Sequence, residues 1–109
     1  VSALHTPGPW LAEPADMFGD HNIVLVKNEE DSRAIAAVVS NMRDPQEVAA
    51  NASVISAAPD LLRAAESMIP TNLCLTNSNV RDDVVVPLEC TMGDLRQVAA
   101  AIAKARCAA

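Results

Sequence analysis

The first apolar pattern in the chain alternates. In "PWLAE" (9–13) Trp10 and Ala12 fall on one side of an extended backbone, and Leu11 and Glu13 fall on the other. That period of two predicts a short first strand. A turn-rich loop, "PADMFGDHN" (14–22), follows. The clearest strand is "IVLVKN" (23–28), β-branched and almost continuously apolar, as a buried strand reads. Polar "NEEDS" (28–32) fits a hairpin tip, and "RAIAAVVS" (33–40) reads as the returning strand, with Ile35 and Val39 among its apolar positions. Three such segments with short links predict an antiparallel meander.

The period then changes to that of a helix. Asp44 is an N-cap, Pro45 suits the first helical position, and Glu47 lies three residues after the cap. Val48, Ala52 and Ile55 follow at spacings of four and three, which lays them along one face. Pro59 interrupts the hydrogen-bond ladder, so the helix should kink or restart there. Leu61, Leu62, Ala65 and Ile69 carry an apolar side onward to Pro70, which ends it.

Beyond Pro70 comes a short apolar stretch, Leu73 to Leu75, and then a polar turn cluster. "VVVPLEC" (84–90) is strand-like, but Pro87 confines it to an edge strand or an extended loop. Thr91 caps a last helix with Asp94 at its third position, and Leu95, Val98, Ala99 and Ile102 continue its apolar pattern. The expected fold class is therefore α+β. A small three-stranded antiparallel meander, with room for an extra edge strand, packs against a kinked helix and a C-terminal helix. At 109 residues the chain reads as one domain, 1–109.

Composition sharpens this picture. Half the residues are hydrophobic, yet the only aromatics are Trp10 and Phe18, so the apolar mass is alanine, valine, leucine and isoleucine. Alanine-rich helices bury little area each, and at about 25 cal/mol per Å² the core is thin. A homo-oligomer or partner interface is expected to supplement it. The net charge of −6 repels phosphate backbones and disfavours nucleic-acid binding. Basic partners suit it better. No apolar run approaches the roughly 20 residues that cross a bilayer, and no signal-peptide pattern is read. Cys74, Cys90 and Cys107 make an odd count without CxxC spacing, which reads as a reduced, cytoplasmic chain, although Cys74 and Cys90 could pair on neighbouring strands. No metal or cofactor is expected.

The one unusual motif is "HTPGPW" (5–10). Pro7 and Pro9 fix two φ angles and Gly8 permits a turn that a side chain would block. Such a stiff turn is suited to docking one large anchor. Trp10 is expected on the Val48/Ile55/Leu62 side of the kinked helix, and Asn51 is expected to satisfy a backbone group freed by the turn. The alternative is a ligand-binding loop that presents His5. Together "HTPGPW" and "NASVISAAPDLL" (51–62), with Asn51, Ala52, Ile55, Ala57, Ala58, Pro59, Leu61 and Leu62 in place and Ser56 departing from the usual alanine, resemble the two hallmarks of a small domain family widespread in phage and prophage genes. The resemblance covers about residues 5–65. It makes 5–69 the family core and 70–109 an extension, and it implies a phage origin, an accessory role and no catalytic residues.

Chemistry is sparse elsewhere. His5 and His21, even with Asp16, Asp20 or Asp31 nearby, lack metal-ligand or catalytic spacing and read as surface or turn residues. The cysteines lack any nucleophile pattern and read as buried packing. Glu29, Glu30 and Asp31 fit a solvated hairpin tip or an acidic finger for a basic groove, and Asp82 and Asp83 admit both readings too. Three glycines in the whole chain argue against a phosphate loop. The expectation is a non-enzymatic phage accessory protein in the bacterial host cytoplasm that binds a host protein, in its sharpest form an anti-CRISPR-like inhibitor of host defence. The alternative is an oligomer that sequesters a nucleotide signal with arginines gathered at a subunit interface.

Overall fold

Alternation of inward and outward side chains builds the sheet. In the computed structural model, which describes residues 4–15, 19–25, 33–71 and 73–107, three strands form an antiparallel meander in the order β1-β2-β3. They are β1 (Trp10–Pro14), β2 (His21–Leu25) and β3 (Ala36–Val38). Trp10 stands opposite Leu25 and Ala12 opposite Ile23, while Ile23 pairs with Ala36 on its other side. Trp10 and Ala12 turn inward and Leu11 and Glu13 outward, as the period of two requires. The predicted hairpin tip, with Glu29, Glu30 and Asp31, lies outside the described residues. The returning strand is shorter than its apolar run: β3 has three residues, and Val39 beyond it is exposed.

Three helices follow: α1 (Pro45–Ser56), α2 (Ala58–Met68) and α3 (Met92–Arg106). Asp44 caps α1 by accepting from the Gln46 backbone N–H at 2.8 Å. Glu47 does not close a capping box; its carboxylate is 2.9 Å from the Arg43 guanidinium. The break before Pro59 is mild. Ala57 keeps a right-handed helical conformation, and Leu61 donates to the Ala57 carbonyl at 2.8 Å, so α1 and α2 form one bent helix. Thr91 caps α3 in a complete capping box with Asp94. Among the described residues 69–91 no helix or strand forms, so "VVVPLEC" is an extended loop and the sheet gains no fourth strand there.

The core joins sheet to helix. Ile23, Val38, Val48 and Ala52 are buried together, with Trp10, Ala12, Ile35 and Ala36 packed around them. α3 lies against α1 and α2, where Ser53 Oγ donates to the Cys107 carbonyl and Lys104 pairs with Asp60 at 2.8 Å. The shape is long, 53 × 32 × 26 Å, and its radius of gyration is 17.4 Å. A compact chain of this length would have about 13 Å.

The helical pattern corrects the expected burial. Val48 and Ala52 are buried, but Ile55 and Leu62 are not, and neither are Ala65, Ile69, Leu95 and Ile102. α1 and α2 instead bury Ser53, Ser56, Ala57, Pro59 and Ala64, and α3 buries Ala101. Helices approach closely where side chains are small, and here the small-residue face makes the internal contact.

Candidate functional site

Thr6 organises the proline-rich turn. Its carbonyl accepts from the Trp10 indole Nε1 at 3.2 Å and lies 3.0 Å from His5 Nδ1. The indole N–H, which would otherwise be orphaned when the ring packs on the core, is thereby satisfied inside the motif. Pro7 and Pro9 flank Gly8, and the Gly8–Pro9 peptide is cis. Gly8 comes so close to α2 that a Cβ there would meet the Pro59 Cβ and Cγ at 3.0 Å. The two sequence motifs therefore meet, although not as expected. Trp10 packs on the Ile23/Val38/Val48/Ala52 cluster, Gly8 packs on Pro59, and Asn51, Ile55 and Leu62 face outward. Asn51 is exposed and plays no part as a buried polar partner.

The other candidate residues are dispersed. His5 is exposed. His21 lies on β2 opposite Pro14 and Val38, and its Nδ1 is buried without a hydrogen-bond partner. The Asp20 carboxylate beside it accepts from the Ser40 backbone N–H at 2.7 Å, tying two loops together. Asp82 and Asp83 are exposed on a turn, and Asp83 lies 3.2 Å from Arg81. Arg43 and Arg63 each pair with an acid of their own helix region, Glu47 and Asp60, and do not converge. All three cysteines are exposed and free, which corrects both the buried reading and the Cys74–Cys90 pairing. The Thr76 hydroxyl, 3.4 Å from Cys74 Sγ, leads the hydrogen bonds that hold the Cys74 thiol below its ordinary pKa. Among the described residues no three His, Cys, Asp or Glu side chains gather where they could hold a metal ion.

What the structure does assemble is apolar surface. On α3, Met92, Leu95, Ala99 and Ile102 recur at spacings of three and four and are all exposed, opposite the face that carries Gln97, Ala101 and Lys104. The extended segment before α3 adds Val84, Val85, Val86 and Leu88, with Val85 almost fully exposed. Between that segment and the end of α2 lies an open cleft of about 530 Å³, whose walls include Met68, Ile69, Leu73, Val86 and Glu89. A smaller hollow between α2 and α3 holds Asp60, Arg63, Gln97 and Lys104. Sequence reading missed these outward rows because it took the larger residues of each helix for the inner face. The serines and alanines at Ser53, Ser56, Ala64 and Ala101 are the feature that marks the true inner face.

No helix among the described residues is long and apolar enough to cross a membrane. The model of one protein family, described as Salmonella phage P22 protein Y8K6, matches residues 1–109 and so runs through the segment after Pro70 as well. No curated protein and no solved structure matches the chain.

Proposed function

The chain belongs to the Salmonella phage P22 protein Y8K6 family, matched over residues 1–109, and from that premise we propose that it is an accessory phage protein that acts by binding a host bacterial protein and not by catalysis. The observation that carries this reading is the exposed apolar surface formed by the 84–90 segment and the outer row of α3. Large apolar side chains in continuous rows are costly to leave in water, and on a folded domain they mark contact with another macromolecule. The chain as a whole is acidic, with a net charge of −6, so a partner with a basic rim around an apolar groove fits both features. In its sharper form the partner is a host defence complex whose nucleic-acid groove the protein occupies, as an anti-CRISPR-like inhibitor would. The test is affinity capture from host lysate with the native chain and with L95E/I102E. The reading expects a stoichiometric host protein with the first and its loss with the second, both chains having the same circular dichroism. No stoichiometric host protein, or equal capture by both, overturns it.

A further inference from the structure

The hollow between α2 and α3 brings together basic side chains from two helices. Asp60 and Arg63 stand one turn apart on α2, and Gln97, Ala101 and Lys104 follow at spacings of four and three on α3. Together with Ala100 they line a space of about 370 Å³. That volume lies within the range of small-molecule sites, roughly 300–1,000 Å³, where a few convergent polar groups fix the ligand. We propose that this hollow binds a phosphate group, held by Arg63, Lys104 and Gln97.

Asp60 sets the two cations side by side. One of its carboxylate oxygens lies 3.3 Å from Arg63 Nη2 and the other 2.8 Å from Lys104 Nζ. Among the described residues it is the only acid that lines the hollow, so two positive charges face one negative charge there. The chain as a whole has a net charge of −6, but at physiological salt charges beyond about 8 Å are largely screened, and the local excess governs a small ligand. Donors also remain unused. Arg63 meets Asp60 through a single Nη contact, not the two-pronged pairing that a fully engaged guanidinium makes. Its other N–H groups, and those of Lys104, have no further partner among the described residues. Gln97 is half-buried, yet its side-chain amide has no hydrogen-bond partner among them either.

A phosphate matches this set better than a carboxylate. Its oxygens point in several directions and can accept from two facing helices at once, whereas the two oxygens of a carboxylate share one plane. A phosphate monoester carries roughly −1.5 to −2 charges at neutral pH, which calls for both cations together. The hollow is larger than a bare phosphate needs, and the small side chains of Ala100 and Ala101 leave room for the organic part of a monoester. Gln97 and Lys104 lie on the face of α3 opposite the exposed row of Met92, Leu95 and Ile102, so this site does not depend on the partner-binding surface. A phosphate bound here bridges α2 to α3 and stabilises their packing.

The experiment is isothermal titration calorimetry and thermal melting of the full chain with inorganic phosphate, glycerol phosphate and acetate, at one ionic strength and near-neutral pH. Phosphate and glycerol phosphate should bind and raise the melting temperature, and acetate and chloride should not. Tighter binding of glycerol phosphate marks a monoester as the natural ligand, and equal binding marks the free ion. R63Q and K104Q should each weaken phosphate binding about tenfold or more, the loss of a charged hydrogen bond, with an unchanged helical spectrum. R43Q, which breaks an ion pair of the same kind on α1, should leave binding unchanged. D60N separates a site from an ion pair that only joins two helices: phosphate should stabilise D60N more than the native chain, because it meets both cations without a competing carboxylate. No phosphate binding by the native chain overturns the proposal. So does equal binding by R63Q and K104Q, an equal effect of acetate, or a D60N chain that phosphate does not stabilise.

Discussion

A single methyl group at Gly8 tests how the proline-rich turn is held to the helix. In Gly8→Ala the new Cβ would lie 3.0 Å from both Cβ and Cγ of Pro59. That is several tenths of an ångström inside a comfortable carbon–carbon separation of about 3.5–4.0 Å. Neither side yields easily. The Pro59 ring is rigid and its backbone lies in the first turn of α2, while Pro7 and Pro9 stiffen the loop on both sides of Gly8. Overpacking of this kind costs about 1–3 kcal/mol. Relief by moving the loop would also pull Trp10 from the core cluster it packs against, so about 2 kcal/mol is expected. For a domain of this size that lowers the melting temperature by roughly 10 °C.

Trp10 is the only tryptophan, so its fluorescence reports the same region during thermal unfolding. A double-mutant cycle isolates the contact. Pro59→Gly removes both atoms that the added methyl would strike, and G8A/P59G should recover about 1 kcal/mol or more relative to the sum of the single changes. If G8A melts within about 2 °C of the native chain, or if P59G gives no recovery, the turn is not fastened to α2 at this point.

Three further outcomes follow from separate parts of the structure. Thr91→Ala removes one half of the capping box of α3 and should cost about 1 kcal/mol, read as a lower melting temperature with reduced helical ellipticity. Asp60→Asn weakens the bridge from α2 to Lys104 and Arg63 and should cost about 1 kcal/mol at low salt; in about 1 M salt the difference from the native chain should shrink. The Cys74 thiol is held below its ordinary pKa chiefly by the Thr76 hydroxyl, so more of it is thiolate at any pH below that value. Thr76→Val should therefore slow alkylation of Cys74 at near-neutral pH, and an unchanged rate would refute the assignment.

Local rules made much of the fold legible. Asp44 before Pro45, and Thr91 three residues before Asp94, name their own helix starts, because a capping side chain satisfies neighbouring backbone donors regardless of the rest of the molecule. Alternation at Trp10–Glu13 and the apolar run at Ile23 likewise fix which side of the sheet receives the helix. Val39 and "VVVPLEC" show where local reading stops. Both have strand composition, yet pairing needs a neighbour within reach, and Pro87 lacks the N–H to recruit one. The candidate surface was harder to see. Periodicity reveals that a helix has an apolar face, but α2 and α3 each carry two such faces, one of large residues and one of small ones, and α1 adds Ser53 and Ser56 to the buried Val48 and Ala52. Ser53, Ser56, Ala64 and Ala101 win the internal contact because small residues permit close helix approach, and the large ones are displaced outward.

That inversion connects the turn at the N-terminus to the surface on the far side of the helix. Pro59 is buried toward Gly8, and its neighbour Ala58 belongs to the exposed row of Ile55, Leu62 and Ile69. One turn of helix thus has the clasp on its inner side and the row on its outer side. The bend at Ala57 sets the angle between the Ile55 end and the Ile69 end of that row, and Gly8 against Pro59 restrains the residue that causes the bend. The proline-rich turn therefore need not touch the row to shape it. By holding Trp10 in the core and Pro59 in place, it fixes the geometry of a surface it never reaches.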